Sequence, residues 1–377
     1  MRIPITLSKY IGKHFIARVG IVFLVMMSTI ILFDSLELIR RAYAKEVPLS
    51  IILQMALLKA PTIIQKIVPF AILLGGILSF AKMTSTSELV VARSAGISAW
   101  QFLAPALIIS FCLGLFIMAV FNPLSSIMLS KFEKVEAKYL KGGLSTLSVS
   151  SNGLWLRQKN KFDSGKTVIN ALRVSHENME LYDVTILMFG DNNEFLHRVD
   201  AAKASLKQEE LENDGEKYLQ GYWDIKDAIL TIPGKTAGSR TDYRLKTDLS
   251  KHHIQESFAS PETMSFWELP TFISTLKEAG FSAIRHSLHW HSVLVTPFFL
   301  SAMVLFAAVF SLRPPRQGKT GALMAGGILA GFVIYFISNL VLALGQSGSI
   351  PVIVSAWTPA FVSILLGTVL MLHLEDG

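Results

Sequence analysis

The sequence predicts a membrane α-helical protein: six transmembrane helices, with an all-β domain inserted between the third and the fourth. Three observations carry that prediction. Charged residues make up only 17% of the 377 residues, against about 25% in an average soluble domain. The missing charge is concentrated, because no Asp, Glu, Lys or Arg stands between Arg93 and Lys131, between Arg285 and Arg313, or between Lys319 and Glu375. The middle of the chain, in contrast, reads as short alternating stretches broken by Asn, Asp and Gly clusters.

Taken in order, the spans fall near 15–36, 60–81, 100–122, 292–312, 321–344 and 353–373. Each supplies the ~20 apolar residues that a spanning helix needs. The last charge-free interval is too long for one crossing, and it divides at the turn-rich stretch Gly345–Pro351. The first apolar run is full-length and no small-residue cleavage site follows it, so a cleavable signal peptide is not expected. Before Asp34 the chain carries Arg2, Lys9, Lys13 and Arg18 with no acidic residue. The positive-inside rule therefore predicts a cytoplasmic N-terminus, and six crossings return the C-terminus to that side. The 82–99 link and the basic 313–319 loop are then cytoplasmic, and 123–290 lies outside. The expected domains are 1–122, with three spans; 123–290, with the strands and flanking helices; and 291–377, with the last three spans. The single cysteine, Cys112, excludes an internal disulfide.

From Leu144 to about Leu249, strands are predicted at 167–174, 181–189 and 222–230. Several short strands without helical periodicity point to an antiparallel sandwich or jelly roll. Ser125 to Lys141 reads as an amphipathic continuation of the third span. Pro261 to Ala283 reads as one helix on the outer membrane surface, with Phe266, Trp267, Phe272 and Phe281 at headgroup depth.

Few residues carry chemistry. Gly318-Lys319-Thr320 is the nearest approach to a phosphate-binding loop, but Arg313 stands where the motif needs glycine, and a span rather than a strand adjoins it. His286, His289 and His291, with His252 and His253 upstream, have spacing that allows a zinc site. No Asp, Glu or Cys stands among the triplet, and polar residues at a helix entrance are the better explanation.

The cations on the outer side are more informative. Arg40, Arg41 and Lys45 follow the first span, and Lys59 and Lys66 lie in or near the outer half of the second. The positive-inside rule disfavours them there. Snorkelling to headgroups or pairing with Glu37 and Glu46 is one explanation. The other is an anionic ligand from the outer leaflet, since paired guanidinium forks suit phosphate or carboxylate. In the 82–98 link, Ser85 or Thr86 is placed to cap a short helix, Glu88 lies in its first turn and Gly96 is placed to end it. Such a helix suits a cytoplasmic partner; an ordinary tight turn is the alternative.

These residues carry a resemblance. The order of parts, Lys9-Tyr10-Ile11 before span one, the 87–98 segment Ser-Glu-Leu-Val-Val-Ala-Arg-Ser-Ala-Gly-Ile-Ser and Asn152-Gly153-Leu154-Trp155 resemble the LptF/LptG family, permeases of the lipopolysaccharide export ABC transporter. The Gly-Leu-Trp text and the dibasic end of span one look more like the LptG branch than the LptF branch. The resemblance spans essentially the whole chain. It implies three spans, a periplasmic β-jellyroll and three more spans in the inner membrane of a Gram-negative bacterium. It implies a non-catalytic chain without a bound cofactor, with ATP and Mg on a separate LptB-type ATPase dimer. Ser87, Glu88, Leu89, Val91, Arg93, Ala95 and Gly96 would couple to that ATPase. Arg40, Arg41, Lys45, Lys59 and Lys66 would form the lipid-phosphate site. Asp34 and Thr62 depart from the family, standing where members can carry further basic residues. Implied partners are an LptF-type permease in a heterodimer, LptC, an LptA bridge reached through the jellyroll, and lipopolysaccharide; no nucleic acid is implied. A permease of another lipid- or lipoprotein-releasing ABC system is the competing reading, and its usual four-span topology disagrees with six. An intramembrane lipid enzyme lacks a nucleophile or metal set here, and a membrane-anchored binding protein would not need six spans.

Overall fold

The computed structural model describes residues 5–43, 45, 47–141, 147–150, 153–159, 166–175, 180–190, 194–213, 216–234, 241–247, 260–278, 282–312 and 320–376. The 313–319 loop, His252, His253, Glu46, Asn152 and Phe281 lie outside the described residues. The chain divides into two compact units.

The first unit is helical and holds residues up to Gly142, the segment Glu262–Leu269 and Ile284 onward. Its helices are α1 (Ile5–Tyr43), α2 (Leu49–Ser85), the short α3 (Glu88–Ser94), α4 (Ala99–Phe116), α5 (Asn122–Glu136), α7 (Ile284–Ser311), α8 (Thr320–Gln346) and α9 (Val352–Asp376). A π-turn, Ile117–Phe121, joins α4 to α5 without a break, and a second, Ala137–Lys141, extends α5. Among the described residues six helices are long and apolar enough to cross a membrane, matching the six predicted spans. They exceed the predicted bounds: α1 has 39 residues and α2 has 37. At ~1.5 Å per residue each is over ~50 Å long, well beyond a ~30 Å hydrocarbon core.

Water cannot drive these helices together inside lipid, so close packing must. Two glycines show how it is achieved. A Cβ on Gly75 would lie 2.5 Å from Val19 Cα, which fixes the crossing of α1 and α2. Gly114 meets the backbone of Pro297 in the same way, locking α4 to α7. The core between them includes Phe15, Ile72, Phe80, Leu103, Leu300 and Ala307.

The second unit, residues 143–261 and 270–283, is built on one sheet. Its strands are β1 (Leu147–Ser150), β2 (Gly153–Lys159), β3 (Lys166–Ser175), β4 (Glu180–Phe189), β5 (Phe195–Asn213), β6 (Glu216–Thr231) and β7 (Thr241–Thr247). They run antiparallel in the order β1-β2-β3-β4-β5-β6-β7. The three predicted strands lie within β3, β4 and β6; β5, the longest, was not predicted. A sandwich or jelly roll needs strand pairings beyond sequence neighbours. Among the described residues the sheet is a simple meander, because each strand folds back on the one before it. Its buried face is closed by α6 (Leu269–Glu278), whose Phe272, Ile273 and Leu276 join Leu154, Ile169, Val184 and Trp223 in one apolar cluster. This corrects the predicted surface helix over 261–283. The segment is broken after a 3₁₀ turn at Pro261–Thr263, and the apolar stripe of α6 covers the sheet.

Candidate functional site

Two places collect the predicted residues. The first is the link between α2 and α4. Ser85 and Thr86 do not cap α3. The Ser85 hydroxyl donates back to the Lys82 carbonyl at 2.8 Å, and the Thr86 hydroxyl shares its one proton between that carbonyl, at 3.0 Å, and Glu88, so both finish α2. Ser87 holds the N-cap position in the left-handed region, φ +61°, without a side-chain bond. Glu88 is clasped instead: its Oε1 accepts from Thr86 Oγ1 at 2.7 Å and from the Tyr10 hydroxyl of α1 at 3.3 Å. Leu89 and Ala92 are buried in the helical core. On the opposite side Val90 and Val91 are exposed at 61% and 66%, and Arg93, Ser94, Ala95 and Gly96 are exposed with them.

Gly96 ends the helix as its position predicts. Its φ is +79°, its N–H donates to Arg93 O at 3.0 Å, and Ile97 N–H reaches Ala92 O at 3.1 Å. That pair of bonds is a Schellman stop. Two residues later Ser98 opens α4 with a capping box to Gln101. The link is therefore a rigid bracket, with one face packed on the spans and a small apolar face bare. Val90 belongs to that bare face and was missed as a site residue; two adjacent valines in a polar link were its only signal.

The second place is the C-terminal end of α1 with the facing parts of α2 and α5. An apolar patch of Leu38, Ala42, Met55, Leu129 and Phe132 underlies it. Every predicted cation here has a partner in the protein. Arg40 grips Glu37, Nε donating to Oε2 and Nη2 to Oε1, both at 2.9 Å. Arg41 donates from both terminal nitrogens to Glu136 Oε1 at 3.0 Å and lies 3.9 Å from Glu37. Lys45 donates to the Leu140 carbonyl. Lys59 pairs with Asp34 and sits over the Phe132 ring, 5.7 Å from its centroid. Lys66 lies 3.5 Å from Glu262. Asp34, the departure from the family pattern, thus serves Lys59, and Thr62 shares a 3.2 Å hydrogen bond with Ser125. Neither Glu136 nor Glu262 was foreseen as a partner, since each is far away in sequence.

Between α1, α2 and α4 lies an apolar cavity of roughly 630 Å³, lined among others by Phe15, Val19, Phe23, Val68 and Leu113. The histidines fall inside α7. His286 is buried, and His291 accepts from the Trp357 indole at 3.3 Å. Among the described residues no three His, Cys, Asp or Glu side chains gather as a metal site. The segment before α7 is stapled to the third span. Phe266 N–H donates to Asn122 Oδ1 at 2.9 Å, and the Trp267 indole donates at 3.1 Å to Ala119 O. Ala119 lies in the π-turn, where the helical ladder is shifted.

Comparison with known proteins agrees with this arrangement. Residues 9–373 match the family model described as lipopolysaccharide export system permease LptF/LptG. The chain is 25% identical over 355 residues to the lipopolysaccharide export system permease protein LptG of Escherichia coli strain K12, covering 94% of each chain. It is 25% identical over 368 residues to the LptG protein of Haemophilus influenzae, covering 96% of each. With six spanning helices, a strand domain inserted after the third and a family match over nearly its whole length, the chain belongs to the LptF/LptG family of lipopolysaccharide export permeases.

Proposed function

We propose that this chain is the LptG-type permease subunit of an ATP-driven exporter, a non-catalytic inner-membrane protein with both termini cytoplasmic. It pairs with an LptF-type subunit and encloses with it an apolar cavity open to the outer leaflet. Lipopolysaccharide enters laterally, acyl chains against Leu, Ile and Phe, phosphates at the outer end of α1. An LptB-type ATPase dimer, which holds ATP and Mg, closes the cavity and expels the lipid. The strand domain stands in the place of the family's periplasmic jellyroll and passes the lipid toward LptC and LptA. Its sheet edges offer unpaired backbone groups for end-to-end addition.

The observation that carries this reading is the bracket at α3. Leu89 and Ala92 are anchored in the spans while Val90 and Val91 are bare. Exposed valines at a link beside the membrane are suited to a groove on a partner, and the Glu88–Tyr10 and Glu88–Thr86 bonds pass a push on α3 to α1 and α2. Val91→Glu is expected to abolish copurification of the ATPase. Glu88→Ala is expected to keep the ATPase bound and reduce ATP-driven lipid release. Full copurification and full release in both variants would refute the coupling role. The LptF-type seat in the same complex is the alternative, and the relatives reported above, both LptG proteins, favour the LptG one.

A further inference from the structure

The cations at the outer end of α1 are not equivalent. Lys59 bridges α2 to Asp34 on α1, and Arg41 bridges α1 to Glu136 on α5. Lys45 ties the chain after α1 to the π-turn beyond α5 through Leu140 O. These three are braces. Freeing Arg41 would take an ion-pair partner from a carboxylate that is only 8% exposed, a costly change for a charge. Lys66 is exposed, but it is a point charge without a fork, and its partner lies on another segment. Arg40 differs from all four. Its side chain is 79% exposed, and it pairs within its own helix to Glu37, three residues back and itself half-exposed. Such a surface i,i+3 pair is worth only about a factor of two in an equilibrium, so its guanidinium is the one most easily exchanged.

Resting on the phosphate role proposed above, we propose that Glu37 determines specificity and release at Arg40. It occupies the guanidinium fork in the empty site, yields it to a lipid phosphate, and takes it back as the lipid leaves. A carboxylate ligand would replace Glu37 like for like and gain little. A phosphate brings more charge and a third oxygen, so it can win the exchange. A resident competitor also keeps the captured lipid from being held too tightly, and passage through a site requires binding weak enough to leave.

The test uses the full-length chain in nanodiscs, with a bis-phosphorylated disaccharide lipid and its enzymatically dephosphorylated form as probes. Binding is read by titration and release by dilution. Glu37→Gln removes the charge and keeps the shape. Affinity for the phosphorylated probe is expected to rise about twofold, the worth of the Arg40–Glu37 pair that no longer has to be displaced. Its release is expected to slow in proportion, and binding of the dephosphorylated probe is expected not to change. In an Arg40→Gln background Glu37→Gln is expected to have no effect. Glu136→Gln is expected to lower the melting temperature without tightening either probe. If Arg40→Gln weakens phosphate binding but Glu37→Gln leaves it unchanged or weaker, the competitor role falls and the phosphate site stands. If Arg40→Gln itself changes nothing, the phosphate role at this end falls, and the competitor role with it.

Discussion

Replacing Gly96 by Ala probes whether α3 is held by its C-terminal stop. At φ +79° a left-handed conformation costs an L-residue with a Cβ about 1–2 kcal/mol. The space around Gly96 is open, with nothing within 4 Å of an added Cβ. Any effect is therefore conformational, not a clash. Helix α3 has seven residues, fewer than the ~12–15 at which isolated helices become even marginal. It has no side-chain N-cap bond, so its order depends on the packing of Leu89 and Ala92 and on the stop itself. A cost of about 1–2 kcal/mol in that local equilibrium is a factor of roughly 5 to 30 in the closed-to-open ratio.

The assay is amide hydrogen exchange of the full chain in nanodiscs, read at residues 95, 96 and 97, whose N–H groups donate to Val91, Arg93 and Ala92. Gly96→Ala should speed exchange there by roughly 5- to 30-fold, with the spans unchanged. Gly96→Asn should recover most of the protection, because Asn tolerates the left-handed region. Unaltered exchange in Gly96→Ala would refute the reasoning, and so would an Asn variant as fast as the Ala one.

Two further outcomes are expected. Trp267→Phe keeps the ring but removes the indole bond to Ala119 O; thermal stability in detergent should fall by about 0.5–1.5 kcal/mol, and no loss would show that the π-turn carbonyl needs no partner. In the sheet, the hydrogen bond from Lys207 holds the Asp224 carboxyl below the usual carboxylate range and Lys207 above the usual lysine range. A depressed carboxyl stabilises above its unfolded pKa and loses that contribution as pH falls through its folded value, while the raised lysine loses its share as pH rises through its own. Unfolding of the strand domain should thus ease at low pH in the wild type, and the acid slope should be shallower in Asp224→Asn; equal slopes would sink this account.

The last four spans were legible because lipid imposes one strong rule, a long run without charge, and the rule needs no knowledge of neighbours; the first two, which hold Arg18, Asp34 and Lys66, were read from their apolar content. Strand β5 was not legible for the opposite reason. Its stretch Lys203-Ala-Ser-Leu-Lys-Gln-Glu-Glu-Leu has charge on both faces and weak β-formers, and it is a strand because β6 pairs along all of it and β4 along its first residues, up to Ser205. The stripe on α6 was legible as apolar but not as to what it meets, since a sheet face and a headgroup layer ask for the same Phe, Ile and Leu. At α3 the stop at Gly96 could be read from one residue's conformational freedom, whereas Ser85 and Thr86 lost their expected caps to the end of α2, which reached their hydroxyls first.

The cations expose the deeper limit. Sequence gives the sign of a charge and its place along the chain, enough to ask about an anion at Arg40 and Arg41 but not to tell the two apart. What separates the two arginines is the partner. Glu37 stands one helical turn from Arg40, so that pair was in view. Glu136 is 95 residues from Arg41 and meets it only because α5 packs on α2 beside the end of α1. A neighbour in sequence makes a weak, exchangeable pair, because the helix holds both residues whether or not they touch. A neighbour in space makes a brace, because losing it takes a partner from a buried charge and unties two elements. Adjacent arginines of like chemistry are therefore assigned unlike work by packing that no local motif encodes, and the one left exchangeable is the one facing outward.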